Sequence, residues 1–270
     1  MDDAPPRNFR ATVQYDGSAY HGFQRQRRGP NGQGASIQAE LEAALARLAG
    51  RPIRVTGAGR TDAGVHALGQ VVAFTIDWPT AHGDAALLRA LNAHLPPDIA
   101  ISALAEAPVT FHPRFDARRR TYEYRVMNRP VRQPLVRWRA WHVPAVLDEG
   151  RMNAAATLLL GVHDFATFGR APVGDNTVRE VYEAEWRRQG DTLVFRICAN
   201  AFLYRMVRSV VGSLRKVGEG RWSVEDFAAV MAARERGRSA SAAPAHGLYL
   251  VAVEYESAMA EQNDGHAANR

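Results

Sequence analysis

The sequence predicts an α/β chain of the α+β kind, with two ferredoxin-like βαββαβ halves sharing a largely antiparallel sheet. Three observations predict it. Strand-type alternation and helix-type periodicity follow one another in the same order twice along the chain. Gly-centred turns join several neighbouring strands, which makes those pairs antiparallel. Finally, 270 residues with 46% hydrophobic and 23% charged side chains are enough for two units of ordinary globular composition.

In the first half, residues 8–15 (NFRATVQY) place Phe9, Ala11, Val13 and Tyr15 at period two, a strand pattern. The Gly-rich stretch 24–35 (QRQRRGPNGQGA) reads as a mobile basic loop. Ser36 is placed to cap a helix with the apolar face Ile37, Leu41, Leu45 and Leu48, stopped by Gly50. A short strand at 52–57, a Gly-punctuated turn at 57–64 and a strand at 69–76 follow. A helix at 84–95, capped by Asp84 and ended by Pro96, leads to a weaker strand near 98–106.

The second half opens with the alternating segment 120–127. Asp148 caps a helix expected to run to Leu160, with Gly161 as its stop. Strands at 178–187 and 191–199 flank the hairpin pair Gly190-Asp191. A long amphipathic helix at 202–217 is followed by one at 223–235, whose Ser223 and Asp226 have capping-box spacing. The last strand is 248–256. The chain thus divides into an N-terminal α/β half at 8–108, an Arg-rich strand and connector at 109–147, a C-terminal α/β half at 148–256, and a polar, disordered tail at 257–270. If the two sheets join edge to edge, a cleft forms between the halves; two independent units without a shared groove are the alternative.

Composition excludes several function classes. No run of about 18 apolar residues occurs, so no transmembrane helix is expected. The start, MDDAPPRNFR, has no apolar core of signal-peptide type, and a cytoplasmic protein is expected. A single cysteine, Cys198, excludes an internal disulfide and a cysteine-based zinc site. Net charge is +6, and 33 of the 34 basic residues are Arg, a skew that GC-rich coding explains. Position says more: residues 114–139 hold nine Arg against Asp116 and Glu123, a local balance of +7 that leaves the rest of the chain near neutral. Charge this concentrated reads as a phosphate-binding stripe, or as a solvated strand and loop face.

The most unusual segment is GAGRTDAGVHALGQ at 57–70, with Gly57, Gly59 and Gly64 around Arg60 and Asp62. Such a loop between strands can present a carboxylate at the sheet rim, and Arg60 is close enough in sequence to keep Asp62 ionised. An ionised carboxylate serves as nucleophile or base, although Asp in a Gly-rich turn also suits an Asx-turn. The segment is neither a dinucleotide-binding fingerprint nor a phosphate loop of the Gly-Lys-Ser/Thr type. His66, His112, His142, His163 and His246 lack metal-ligand spacing, and no nucleophile-elbow pattern is present. Arg120, Tyr122 and Tyr124 alternate and so share a strand face, where Tyr stacks on a base, moves a proton, or simply fills a half-buried strand. On the expected helix 202–217, Phe202, Met206 and Ser209/Val210 share one face and Arg205 and Arg208 another, within reach of a central carboxylate.

These segments resemble the TruA-type tRNA pseudouridine synthases. GAGRTDAGVHALGQV looks like the family's active-site motif, the most specific of the matching blocks. YDGSAYHGFQRQ at 15–26, LNAHLPPDI at 91–99, FHPRFDARRRTYEYRV at 111–126, GVHDFATF at 161–168, TVREV at 177–181, FLYRMVRSVVG at 202–212 and GLYLVAVEY at 247–255 look like family blocks in family order. The resemblance implies Asp62 as catalytic nucleophile and Arg60 as the arginine that holds the flipped-out substrate region. It implies Tyr122 as the tyrosine that stacks on the uracil and accepts a proton, Arg208 as the ion-pair partner of the aspartate, and Leu248 as an apolar residue of the pocket. Arg118, Arg119, Arg120 and Arg205 are expected substrate contacts; Arg205 stands where relatives often have His or another polar residue. The implied fold is the pseudouridine synthase fold with an RNA-binding cleft. The implied protein is a homodimer that uses no cofactor and no metal and modifies tRNA uridines at positions 38, 39 and 40 of the anticodon stem-loop.

That reaction breaks the N1–C1′ glycosidic bond, turns the uracil and rejoins it through C5. A carboxylate attacks C1′ or takes the C2′ proton, through oxocarbenium-like charge on the sugar. The C5 proton leaves last, to a base such as Tyr122. The target leaves the helical stack, which costs a few kcal/mol that stacking and phosphate contacts offset. The alternative is a non-catalytic RNA-binding or RNA-chaperone module, which leaves the Arg60–Asp62 turn beside a Tyr strand unexplained.

Overall fold

The computed structural model describes residues 6–25 and 35–256. Most of the expected basic loop at 24–35 and the whole tail 257–270 lie outside the described residues. The first half contains β1 (Pro6–Tyr15), α1 (Ile37–Ala49), β2 (Thr56–Gly57), β3 (His66–Asp77), α2 (Asp84–His94) and β4 (Ile99–Glu106). The second contains β5 (Ala117–Met127), β6 (Trp141–His142), α3 (Glu149–Ala156), β7 (Gly161–Asp164), β8 (Val178–Gln189), β9 (Thr192–Ala199), α4 (Met206–Gly218), α5 (Val224–Ala232) and β10 (Leu248–Tyr255).

Strand order shows the duplication directly. The first half runs β4-β1-β3 with β2 beside β3, and the second runs β10-β5-β9-β8 with β7 added at the edge. In each half the fourth strand lies beside the first and the third beside the second, which is the ferredoxin-like order. The halves join into one sheet through β3 and β10, which pair in parallel at Tyr249–His66 and Leu250–Ala67. Beyond that contact β10 crosses β3 so closely that a Cβ on Gly69 would lie 2.2 Å from the Val251 carbonyl oxygen. The same edge of β3 is taken further along by β2, at Thr56–Ala73 and Gly57–Val72. The edge therefore forks, and the loop 58–65 lies at the fork. A shared sheet replaces the alternative of two independent units.

Local signals account for most elements. In β1, Phe9, Ala11, Val13 and Tyr15 are buried while Arg10 and Gln14 are exposed, as alternation requires. The Ser36 hydroxyl accepts from the Ala39 N–H at the start of α1, and Gly50 ends it in the left-handed region at φ +66°. Ser223 and Asp226 make the reciprocal capping box of α5. Helices cover one face of the sheet, burying Leu45, Leu87, Leu91 and Ile76 in the first half and Trp186, Phe195, Phe165 and Phe227 in the second. Each such side chain contributes about 1.5–3 kcal/mol, and Phe195→Ala would cost about 3–5 kcal/mol.

Four expectations need correction. Asp84 does not cap α2: Gly83 holds the cap position, and the Asp84 carboxylate accepts from Arg7 at 2.9 Å. The strand at 52–57 shrinks to Thr56–Gly57, because side chains of α1 take both backbone groups of Val55: its N–H donates to Glu42 Oε1 and its carbonyl accepts from Gln38 Nε2. The helix capped by Asp148 ends at Ala156 and tightens into a 3₁₀ turn, Thr157–Leu159, before Gly161 at φ +90° starts β7. The helix expected from 202 begins at Met206, because Arg205 holds φ +62° and breaks any upstream turn.

Candidate active site

The loop 58–65 is fixed from below and from both sides. The Ala58 N–H donates to the Val71 carbonyl (2.8 Å), and the Gln70 side-chain amide donates to the Gly59 carbonyl (2.9 Å). Thr61 is held twice: its carbonyl accepts from the Phe23 N–H, and its hydroxyl shares a 2.8 Å hydrogen bond with the Tyr15 hydroxyl. The Val65 N–H donates to the Asp62 carbonyl at 3.1 Å, closing the turn. Of the three glycines around Arg60 and Asp62, Gly64 is the one whose backbone demands it, at φ +79°; Gly57 makes room for the Phe23 ring, and Gly59 faces open space. Chain segment 16–23 is thus the cradle of this loop, which is the physical sense of the YDGSAYHGF block.

Asp62 is presented from this frame, its side chain 23% exposed. Arg208, on the first turn of α4, donates from Nη1 to Asp62 Oδ2 at 2.9 Å. The guanidinium is itself aimed: its Nε donates to the Ala243 carbonyl at 2.7 Å, while the Ala243 N–H donates back to the Arg208 carbonyl. Arg60 does not take that role. It is exposed and, among the described residues, makes no ion pair.

Tyr122 lies on β5, cross-strand from Leu250 and Ile197, and is 8% exposed. Its ring meets Phe202 edge to face at 5.0 Å. Burial pushes its hydroxyl up to about 12, against the nearby Arg120 guanidinium and with the help of the Asp62 carboxylate. Tyr15 is also raised by burial and senses Tyr122, so both phenols, Thr61 and Asp62 converge on one region of the helix-covered face. Leu248 is buried and lies opposite Tyr124, two residues along β10 from Leu250, the partner of Tyr122.

The expected substrate arginines scatter. Arg120 donates to the carbonyls of Asn200 (2.9 Å), Arg114 (2.7 Å) and Ala58 (3.3 Å), so it ties the loop 58–65 to the second half and is not held out to a phosphate. Arg118 and Arg119 alternate on β5 and point to opposite faces: one pairs with Glu256 at 2.7 Å, the other lies over the Tyr182 ring. Arg205 is exposed beside Tyr204 and lies before the helix, not on a face shared with Arg208. The +7 segment is no single stripe. Arg139 is clamped to Asp16 and Arg129 to Asp191, partners distant in sequence, while Arg125 pairs with Glu123 on the same strand.

The histidines bind backbone. His66, 2% exposed, accepts from the Gly17 N–H at Nδ1 and meets the Trp138 carbonyl at Nε2 (2.9 Å). His142 and His163 meet the carbonyls of Arg129 and Leu160. Among the described residues no group of three or more His, Cys, Asp or Glu is placed to hold a metal ion. No helix among them is long and apolar enough to cross a membrane.

Sequence reasoning missed the Tyr15–Thr61–Gln70 support, the Phe202 contact on Tyr122 and the aiming of Arg208 by Ala243. The first had a signal: Tyr15 and Gln70 stand at inward strand positions where an apolar residue is the default. The other two join residues 80 and 35 positions apart and leave no local trace. The assembled site holds a half-buried carboxylate, a guanidinium fixed on it and a buried phenol, a set able to attack an electrophilic carbon and move a proton.

Comparison with known proteins agrees with this arrangement. A family model described as tRNA pseudouridine synthase matches residues 11–116 and 155–256, so Asp62 and Arg208 fall inside the matched segments and Tyr122 falls between them. Curated relatives named tRNA pseudouridine synthase A include one from Methylacidiphilum infernorum, 43% identical over 92% of this chain and 95% of its own. Another, from Roseiflexus, is 46% identical over 92% of this chain and 91% of its own. A third, from Neisseria meningitidis, is 41% identical over 96% of both. With a duplicated sheet, a motif loop at its fork and likeness of this extent along nearly the whole chain, the protein belongs to the tRNA pseudouridine synthase family.

Proposed function

We propose that the protein isomerises uridine to pseudouridine at positions 38, 39 and 40 in the anticodon stem-loop of tRNA, with Asp62 as the nucleophile. The observation that carries this reading is the Asp62–Arg208 pair at 2.9 Å, presented at the fork of the sheet beside Tyr122. The Asp62 carboxylate attacks C1′ of a uridine turned out of the stack, and the N1–C1′ bond breaks. The freed uracil rotates against the Tyr122–Phe202 pair, and C5 closes on C1′ as Asp62 leaves. In the other route the same carboxylate takes the C2′ proton.

Burial pushes the Tyr122 hydroxyl up to about 12, which defines its part in the reaction further. At neutral pH its hydroxyl carries a proton, so it takes the C5 proton only by handing its own on, and the regenerated Asp62 carboxylate is the nearest acceptor that it senses. Arg60, exposed and without an ion pair among the described residues, is placed to enter the space that the flipped nucleotide vacates. The reading includes a homodimer and a cytoplasmic location, where tRNA is met; the exposed Val131, Leu135 and Trp138 of the connector suit a subunit contact. No cofactor enters any step.

The test is incubation of an unmodified tRNA transcript with the purified chain, followed by nucleoside analysis and mapping of the modified positions. Pseudouridine at 38–40 is expected. Tight binding of the transcript with no pseudouridine would instead establish the non-catalytic RNA-binding module.

A further inference from the structure

Beside the Asp62–Arg208 pair stands a group that this chemistry does not use. Tyr204, 41% exposed, projects from the segment that leads into α4. The Arg205 guanidinium lies 5.1 Å and the Arg170 guanidinium 5.8 Å from its ring centroid. Among the described residues neither arginine has an acidic partner, in contrast to Arg118, Arg125, Arg129 and Arg139 of the 114–139 segment. An exposed aromatic between two unneutralised cations is unusual for a surface with no ligand to hold.

The group is also rigid. The Tyr204 N–H donates to the Arg170 carbonyl at 2.9 Å, and the two residues form an isolated β-bridge. Leu203 is buried against Gly169, so closely that a Cβ there would lie 2.3 Å from that of Leu203. Phe202, two residues before Tyr204, touches Tyr122. Arg205 holds φ +62°, a conformation that costs a non-glycine residue energy and persists where the surroundings impose it. Residues 202–208 therefore place Phe202 on the candidate uracil platform, Tyr204 on the surface and Arg208 on Asp62.

We infer that Tyr204, Arg170 and Arg205 form a second nucleotide subsite, which takes a nucleotide next to the isomerised uridine. Its base stacks on the Tyr204 ring, and the guanidiniums hold the phosphates on either side. Both guanidiniums lie over the ring, at 5.1 and 5.8 Å from its centroid, so an incoming base takes the ring as they turn to the phosphates. Stacking on an aromatic tolerates every base, which suits an enzyme that acts on several positions. This inference rests on the reading of the protein as an RNA-modifying enzyme.

The experiment uses the full chain and one unmodified tRNA transcript carrying uridine at position 39. Dissociation constants are measured by filter binding between 50 and 300 mM salt, with pseudouridine formation followed in parallel. Tyr204→Ala is expected to raise Kd roughly 5- to 150-fold, the range for loss of one stacked base, and Tyr204→Phe to restore binding to within about threefold. Glycine suits the left-handed backbone at position 205, so Arg205→Gly removes the cation without loss of thermal stability. Combined with Arg170→Gln it should reduce the slope of log affinity against log salt by about 1.4, two single-strand phosphate contacts. A Tyr204→Ala protein that binds within twofold of wild type, or a slope unchanged in the double variant, overturns the subsite. Wild type that forms no pseudouridine sinks the catalytic reading instead, a result that appears before any variant is compared.

Discussion

The Arg208 guanidinium reaches Asp62 through Nη1 at 2.9 Å while its Nε is fixed on the Ala243 carbonyl at 2.7 Å. Two of its donor directions are therefore set, one by the backbone and one by the carboxylate. The carboxylate comes from the first half of the chain and the guanidinium from the second, so the pair exists only when the sheet has closed at β3 and β10.

Asp62→Asn should bind tRNA within a few-fold of wild type and form no pseudouridine. A carboxamide fills the same volume and cannot act as nucleophile or base. Filter binding and nucleoside analysis on one preparation check both halves of the statement. Substantial turnover by this variant removes Asp62 from the reaction.

Arg208→Lys keeps the charge and loses the fork. A single ammonium cannot satisfy Ala243 and Asp62 along the two directions that the guanidinium uses. Misplacement of the carboxylate by about 1 Å is expected to lower kcat on the order of 10²-fold, with KM changed far less. Equal loss in kcat and in tRNA affinity would mean that Arg208 holds substrate and not the carboxylate.

Tyr122→Phe separates stacking from proton transfer, because the ring stays and the hydroxyl goes. Loss of a proton-transfer group costs about 10² to 10⁴ in rate, so turnover should collapse while tRNA binding persists. The pH profile adds a second check. With its hydroxyl pushed up to about 12, the tyrosinate fraction rises tenfold per pH unit from 7 to 10. A relay that enters protonated gives a single-turnover rate that does not follow that rise. A rate that climbs tenfold per unit over this window would identify free tyrosinate as the base.

The fold was legible where local chemistry fixes it. Ser36, Ser223 with Asp226, and Gly190 each declare a boundary that their own backbone requires, and the structure places them there. It was not legible where a distant segment decides. The strand at 52–57 is cut short where Gln38 and Glu42 of α1 take both backbone groups of Val55, and the start of α4 is set by a left-handed Arg205 that no periodicity reveals. Charge counting along residues 114–139 failed for a related reason: alternation on β5 divides the arginines between two faces, and Asp16, Asp191 and Glu256 arrive from elsewhere to pair with them. The site followed the same rule. Asp62 stands out in its own motif, whereas the guanidinium that meets it is known to belong there only through resemblance and then through the 2.9 Å contact.

That division of the arginines leads to a salt-dependence prediction. With one side chain paired to Glu256 and the other stacked on Tyr182, replacing Arg118 and Arg119 by Ala should change the slope of log affinity against log salt by less than about 1, one phosphate contact or fewer. A drop close to 2 would put both arginines on the RNA and would require the strand face to be reorganised on binding.

His66 gives the last prediction, because it locks the junction on which the site depends. It opens β3 directly after the loop 58–65, and its ring stacks on Tyr249 at 4.7 Å across the parallel contact between the halves. Burial pushes its pKa below the ordinary histidine value; the Asp16 carboxylate, 3.1 Å from Nδ1, pulls the other way and is outweighed. Its partners assign a neutral ring, with Nδ1 accepting from Gly17 and Nε2–H donating to the Trp138 carbonyl. A histidine depressed in the folded state contributes stability that is fully present above its unfolded value of about 6.5 and is lost as pH falls through the folded value, since the unfolded chain binds the proton first. Wild-type stability should therefore fall between pH 6.5 and 5.5 by an increment of at most about 1.4 kcal/mol from this one group. His66→Asn keeps a donor and an acceptor but does not titrate, so it should be less stable at pH 7.5 and lose less than wild type on acidification. Urea unfolding at pH 7.5, 6.5 and 5.5 measures both. Equal acid losses in the two proteins would show that His66 is not held neutral, and that the junction of the halves does not sense pH through it.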